Sequence, residues 1–224
     1  MSAAAKKPEP TGKVVTITPP NFCEVHATLI GTAPYVQARF SQKAIQAMRA
    51  KHEAGSTAKK GGKREARDFN EDFRQAQHVS EDGWIGVPAP AIRNACIDVC
   101  RMAGFKMTHA RMSVFALADG RDLVDGSPLI RLDAPAPERL DMMTRNATGV
   151  ADIRVRPMWR DWKLPVRLRY DADQFTQEDV LNLLARAGEQ VGIGEGRPFS
   201  KSSNGLGYGT FAIDWDAGVK GVVS

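Results

Sequence analysis

Between Ala151 and Asp171 the chain reads ADIRVRPMWRDWKLPVRLRYD. In its first half Ile153 and Val155 alternate with Arg154 and Arg156; in its second, Val166 and Leu168 alternate with Arg167 and Arg169. A period of two sends successive side chains to opposite faces of a strand. Each half therefore predicts a strand with one apolar face and one arginine face. The intervening RPMWRDWKLP is short enough for a hairpin-like reversal, which would place all four arginines on one sheet face. Such a face repels itself unless it meets solvent salt, acidic partners or phosphate. A solvated face paired to Asp and Glu from elsewhere is the plainer alternative.

Other segments fill in a mixed fold. KVVTI and CEVHATLIG are strand material. YVQARFS continues in extended style, with Val36, Ala38 and Phe40 on one face and Gln37, Arg39 and Ser41 on the other. GWIGVPAPAIRNACIDVCRMAG predicts a helix over 89–103: Pro88 and Pro90 suit its start, Ile92, Cys96, Val99, Cys100 and Ala103 fall at helical spacing, and Gly104 follows as a stop. RMSVFALADG and SPLIRLDAPAP read as strands. TQEDVLNLLARAG is a helix capped by Thr176, with Asp179 at the capping-box position and Gly188 as its stop. TFAIDWD is a final strand. The order predicts an α+β chain: a modified ferredoxin-like, RRM-like βαββαβ antiparallel sheet with both helices on one face. Residues 1–12 read as a disordered tail, 13–216 as one domain, and 217–224 as a C-terminal tail. An insertion at about 42–80 comprises QKAIQAMRAKHEA as helix, a basic excursion with Lys59, Lys60 and Lys63, and DFNEDFRQAQ as a short helix.

The net charge of +5 permits a polyanionic partner without requiring one. Cys23, Cys96 and Cys100 are too few for a disulfide framework, and the first residues carry no signal-peptide apolar core. With no membrane-length apolar run, a soluble, intracellular protein is expected. Cys96 and Cys100 share a helix face but have no further ligand motif beside them, so they read as small buried hydrophobes. His26, His52, His78 and His109 are dispersed. Asp119, Asp122 and Asp125 read as turn-shaping residues. No catalytic residue, metal or cofactor is expected.

The segment VGIGEGRPFSKSSNGLGYGTFAI brings Gly192, Gly194, Gly196, Gly205, Gly207 and Gly209 between a helix and a strand. It fits neither the P-loop spacing nor a dinucleotide fingerprint, which must open a helix. It reads as a backbone able to approach a phosphodiester chain closely, with Arg197 and Lys201 beside it, or as a long turn needing positive φ at several points. Arg39, Arg93, Arg160 and Lys163 complete the candidate cationic contacts. Trp159, Trp162 and Tyr208 are candidate stacking residues, and the tryptophans read equally well as core anchors.

The succession GWIGVPAPAIRNA, ADIRVRPMWRDW, LLARAGEQVGIGEGRP and GYGTFAI resembles a family of phage and prophage proteins similar to the RAMP superfamily, in particular the backbone subunits of CRISPR effector complexes. The stretch from Pro88 to Arg93 matches the family's helix start, and the segment 192–209 its glycine-rich loop before the last strand. The resemblance implies an RRM-like core, single-stranded RNA or DNA as partner, and self-association along the strand, with CRISPR-complex subunits as possible protein partners. The insertion at 42–80 sits where the family carries a thumb. The expected function is sequence-independent single-strand binding without catalysis. The alternatives are a structural, assembly or subunit-mimicking protein, and a RAMP-type RNA endonuclease.

Overall fold

The computed structural model describes residues 17–40, 42–53, 67–145, 149, 151–201 and 203–223. The predicted strand over KVVTI falls almost entirely outside them, as do Lys59, Lys60 and Lys63. In chain order the elements are β1 (Phe22–Gly31), β2 (Tyr35–Val36), α1 (Gln42–Glu53), α2 (Phe69–Gln75), β3 (Gly86–Pro88), α3 (Ala89–Cys100), α4 (Met107–Ser113), β4 (Val114–Ala116), β5 (Gly120–Arg121), β6 (Pro128–Arg131), β7 (Glu138–Arg145), β8 (Ala151–Trp159), β9 (Lys163–Asp171), α5 (Gln177–Arg186), β10 (Phe211–Ile213) and β11 (Lys220–Val223). All strand pairs are antiparallel. The described residues form a mixed α+β structure with three antiparallel sheets.

The main sheet runs β10-β1-β9-β4, with β11 also paired to β1. Its spine is the β1–β9 ladder, from Phe22 opposite Asp171 to Ile30 opposite Lys163. Val25, Ala27 and Leu29 of β1 and Leu164, Val166, Leu168 and Tyr170 of β9 are buried. They form one apolar cluster with Ile92, Cys96 and Val99 of α3 and Val180, Leu183 and Leu184 of α5. Each such fully buried Leu, Ile or Val contributes roughly 1.5–3 kcal/mol of transfer free energy. α5 begins as its sequence predicts: Oγ1 of Thr176 accepts from the Asp179 amide at 3.1 Å, and the Asp179 carboxylate accepts from the Thr176 amide at 2.9 Å.

Several expectations are corrected. β8 and β9 do not form a hairpin: β8 pairs with β7 and β2 in a second sheet, and β9 with β1 and β4 in the first. The chain changes sheets over Arg160–Trp162, because both tryptophans flanking that turn are drawn into the core, Trp159 at 2% and Trp162 at 3% exposure. Arg111–Ser113, read as strand, closes α4, and only Val114–Ala116 is extended. Gly188 does not stop the last helix. The chain passes through a π-helical turn, Ala187–Val191, and breaks at Gly192 with φ 68°. Gly188 is there because a Cβ would lie 2.0 Å from the Phe211 carbonyl oxygen. β7 went unpredicted, and the stretch after 216, read as a tail, supplies β11.

Beyond Val36 the predicted faces are also exchanged. Gln37 is 2% exposed and Phe40 70%. Polar side chains point inward here because specific partners wait for them. Gln37 Nε2 donates to the Tyr35 hydroxyl at 3.2 Å and to the Gly86 carbonyl at 2.7 Å, and its Oε1 accepts the His78 amide at 2.9 Å. A buried amide satisfied this completely costs little.

Candidate nucleic-acid interface

The second sheet, β2-β8-β7, and the glycine-rich segment enclose a cleft of about 760 Å³. Its walls are Tyr35, Gln37 and Ala38 from β2 and beyond, Met143 and Thr144 from β7, Arg154 from β8, and His78. Pro88 and Ala91 at the start of α3 and the segment Gly194–Arg197 with Ser203 and Asn204 complete it.

The glycine segment is a built wall. All six glycines singled out in the sequence have positive φ, from 64° at Gly205 to 81° at Gly194. At Gly209 a Cβ would stand 1.8 Å from the Ile193 carbonyl oxygen, so glycine is required on space as well as on φ. The Ile193 amide donates to the Gly209 carbonyl at 2.9 Å, the Glu195 amide to the Val36 carbonyl at 2.9 Å, and the Gly209 amide to the Pro34 carbonyl at 2.8 Å. The expectation of a flexible clamp with free backbone N–H groups is corrected at these positions, since their donors are used within the fold. The turn geometry and the cleft wall are one structure.

Two of the predicted arginines meet this wall. Arg156 Nε pairs with Oε2 of Glu195, both side chains largely buried. Arg154 is looser, 3.6 Å from Glu195 and 3.9 Å from Asp152, with its side chain 38% exposed. Arg197 Nη1 donates to the Gly194 carbonyl at 2.9 Å and Nε to the Phe199 carbonyl at 3.2 Å. These carbonyls orient the guanidinium without neutralising its charge. Arg154 and Arg156 share Glu195, with Asp152 at the edge of Arg154, while Arg197 is met by carbonyls, and the balance favours an anion. Lys201 lies exposed in the same segment.

The other arginines are elsewhere, so the single arginine face is corrected. Arg167 Nη2 donates to the Ala118 carbonyl at 2.9 Å and pairs with Asp119 at 3.0 Å. The Arg169 guanidinium lies 4.8 Å from the Phe22 ring centroid and 5.4 Å from that of Phe115. Arg93 donates to the Val114 and Arg111 carbonyls and covers Phe115 at 5.0 Å. Arg160 pairs with Glu138 at 2.9 Å and Lys163 with Asp214 at 3.2 Å. The hydrogen bond from Lys163 holds the Asp214 carboxyl below the usual carboxylate range.

The stacking candidates divide similarly. Trp159 lies against Tyr35 with centroids 5.7 Å apart, Trp162 at 5.6 Å from the same ring, and Trp162 Nε1 donates to the Ala33 carbonyl at 2.9 Å. Both are core anchors with no face left for a base. Burial pushes the Tyr35 phenol up. Tyr208 packs, half-buried, on the small cluster of Val36, Met142 and Met158. Cys96 and Cys100 are buried, and burial pushes the Cys96 thiol up to about 12, which suits the small-hydrophobe reading.

Beside the cleft lies a cluster that the sequence did not announce. Asp122 is fully buried in side chain, and His78 Nδ1 is 2.9 Å from its Oδ2. Arg39, 6% exposed in side chain, places Nε 3.3 Å from the same oxygen. Arg39 Nη1 donates to the Gln75 carbonyl at 3.3 Å, so this residue is structural and not a surface phosphate contact. Asp122 Oδ1 accepts the Val124 and Asp125 amides at 2.8 and 3.3 Å, which is the predicted turn-shaping role. His78, Asp122 and Asp125 bring ligand atoms within 4.8 Å of one another. The Arg39 guanidinium already supplies the positive charge that Asp122 requires, which disfavours a divalent ion there.

No family model matches the chain, and no curated protein matches it in sequence. Among the described residues no helix is long and apolar enough to cross a membrane. Among solved structures, the chain is similar to a subunit in a cryo-EM structure of the type III-B Cmr-beta bound to cognate target RNA, at TM-score 0.41 and 10% identity. The alignment covers 91% of this chain and 61% of that one.

Proposed function

We propose that this chain is a non-catalytic single-stranded nucleic-acid-binding protein, and that the strand lies in the cleft between the glycine wall and the β7–β8 pair. The observation that carries this is the state of Arg197: its guanidinium is bonded to the carbonyls of Gly194 and Phe199 and borders a cleft that also holds Arg154. Two incompletely neutralised guanidinium groups in one cleft suit a phosphodiester backbone. In the main sheet the connections β1–α3–β4 and β9–α5–β10, with the order β10-β1-β9-β4, support a ferredoxin-like reading of the core.

Binding is then driven by charge and falls steeply as salt rises. A gel shift with single-stranded RNA and DNA oligonucleotides tests this. The unmodified protein should bind at low salt, and an Arg154→Ala/Arg197→Ala variant should bind at least tenfold more weakly. No shift with any single-stranded oligonucleotide at low salt overturns the reading. Equal binding by the double variant moves the strand out of the cleft.

A further inference from the structure

We propose that His78 is the hydrogen-bond acceptor by which the cleft recognises a ribose 2′-hydroxyl, so that RNA binds in preference to DNA. The inference rests on the nucleic-acid reading above and deepens it.

The buried Asp122 carboxylate only accepts hydrogen bonds, so the ring nitrogen 2.9 Å from it, Nδ1, carries the hydrogen. Arg39 balances the carboxylate at 3.3 Å, and no second proton is needed on the ring. Burial lowers the pKa of His78 from its ordinary 6.5, and the hydrogen bond to Asp122 opposes that only in part. At neutral pH the imidazole is therefore the neutral Nδ1–H tautomer, and Nε2 is a lone-pair acceptor. His78 borders the cleft and Asp122 does not, and Nε2 is on the ring edge away from Asp122. The Gln37 side chain holds the His78 backbone amide, and both of its own N–H groups are used on Tyr35 and Gly86.

The rest of the cleft is rich in donors. Arg154 and Arg197 only donate, and the Glu195 carboxylate is engaged by Arg156 and Arg154. The Thr144 and Ser203 hydroxyls spend their hydrogens on the Asp152 and Arg197 carbonyls, and the Asn204 amide both gives and accepts, so the His78→Phe arm below separates their share from that of His78. A neutral, pre-oriented acceptor beside phosphate-binding guanidinium groups selects a donor. The donor that recurs at every nucleotide whatever the base is the 2′-hydroxyl, and it is what separates RNA from DNA.

The test is fluorescence anisotropy with one sequence in three forms: RNA, 2′-fluoro RNA, which keeps an RNA-like sugar but cannot donate, and DNA. The unmodified protein should bind RNA about 2- to 12-fold more tightly than 2′-fluoro RNA, the range for one net neutral hydrogen bond. In His78→Phe the ratio of RNA to 2′-fluoro RNA affinity should fall to about one. In the unmodified protein the ratio should also decline as pH falls and Nε2 gains a proton. The charged groups facing the ring are Asp122, Asp125 and Arg39. Equal binding of RNA and 2′-fluoro RNA by the unmodified protein, a comparison that needs no variant to fold, overturns the inference and leaves the nucleic-acid reading standing. A preference that survives in His78→Phe overturns it too. Binding of none of the three removes both.

Discussion

The segments IRVR at 153–156 and VRLR at 166–169 carry the same alternation, yet the fold uses them differently. Arg154 and Arg156 lie in the second sheet and meet Glu195 at the cleft. Arg167 and Arg169 lie in the main sheet, where one is tied to Asp119 and the other covers Phe22 and Phe115. A period of two decides which residues share a face of one strand. It does not decide which sheet that strand joins, nor what faces it. The same arginine is a ligand group in one place and a packing group in the other.

The comparison can be broken or sharpened by substitution. The largest effect is expected at Gly209, which anchors the wall opposite Arg154. Gly209→Ala adds a Cβ 1.8 Å from a carbonyl oxygen at φ 68°, and a loss of roughly 2–4 kcal/mol in urea unfolding is expected. Stability unchanged within error would mean that the wall is not the rigid element described. Next comes Arg169→Ala. It removes a guanidinium that lies over two phenyl rings and should cost about 1–2 kcal/mol of stability with nucleic-acid affinity unaffected. Arg154→Ala should do the reverse: its ion pairs are long, so stability should move by about 0.5 kcal/mol or less while binding weakens.

The smallest effect concerns the pH dependence of His78. Its folded pKa lies below the ordinary 6.5, with burial as the first cause. The unfolded chain then binds more protons in the interval between the two values, and stability rises with pH there. The contribution of neutral His78 is complete above about pH 6.5 and is lost as pH falls through the lower, folded value. Urea midpoints should therefore drop between pH 7 and 5.5, and His78→Phe should flatten that drop. An undiminished drop in the variant would assign it to other groups.

What the sequence disclosed follows the range of the interactions involved. The capping box at Thr176 and Asp179 spans three residues, and helix α5 starts where it says. The alternation in β9 is legible because the strand has one apolar face against the helices, while β1 is legible from its β-forming residues, since its own alternation is poor. ERLDMMTR has neither strict alternation nor β-branched apolar residues, so β7 is stabilised by its ladder with β8 and leaves little local signal. His78 and Asp122 are 44 residues apart, and Gln37 and His78 are 41 apart. No spacing rule links them, and the dispersed histidines gave no hint of which one would sit beside a cleft. The glycine segment was recognisable as a place of positive φ, but its amide partners on Pro34 and Val36 depend on β2 lying next to it.

The division of arginines into ligand groups and packing groups is tested most directly by the salt dependence of single-strand binding in two variants. Arg154→Ala/Arg197→Ala should lower the slope of log affinity against log salt by about 1.4, roughly 0.7 for each lost phosphate contact. Arg167→Ala, whose guanidinium is held by Asp119 and the Ala118 carbonyl, should leave the slope of the unmodified protein intact. An unchanged slope in the double variant, with a reduced slope in Arg167→Ala, would place the strand on the main sheet and contradict the account.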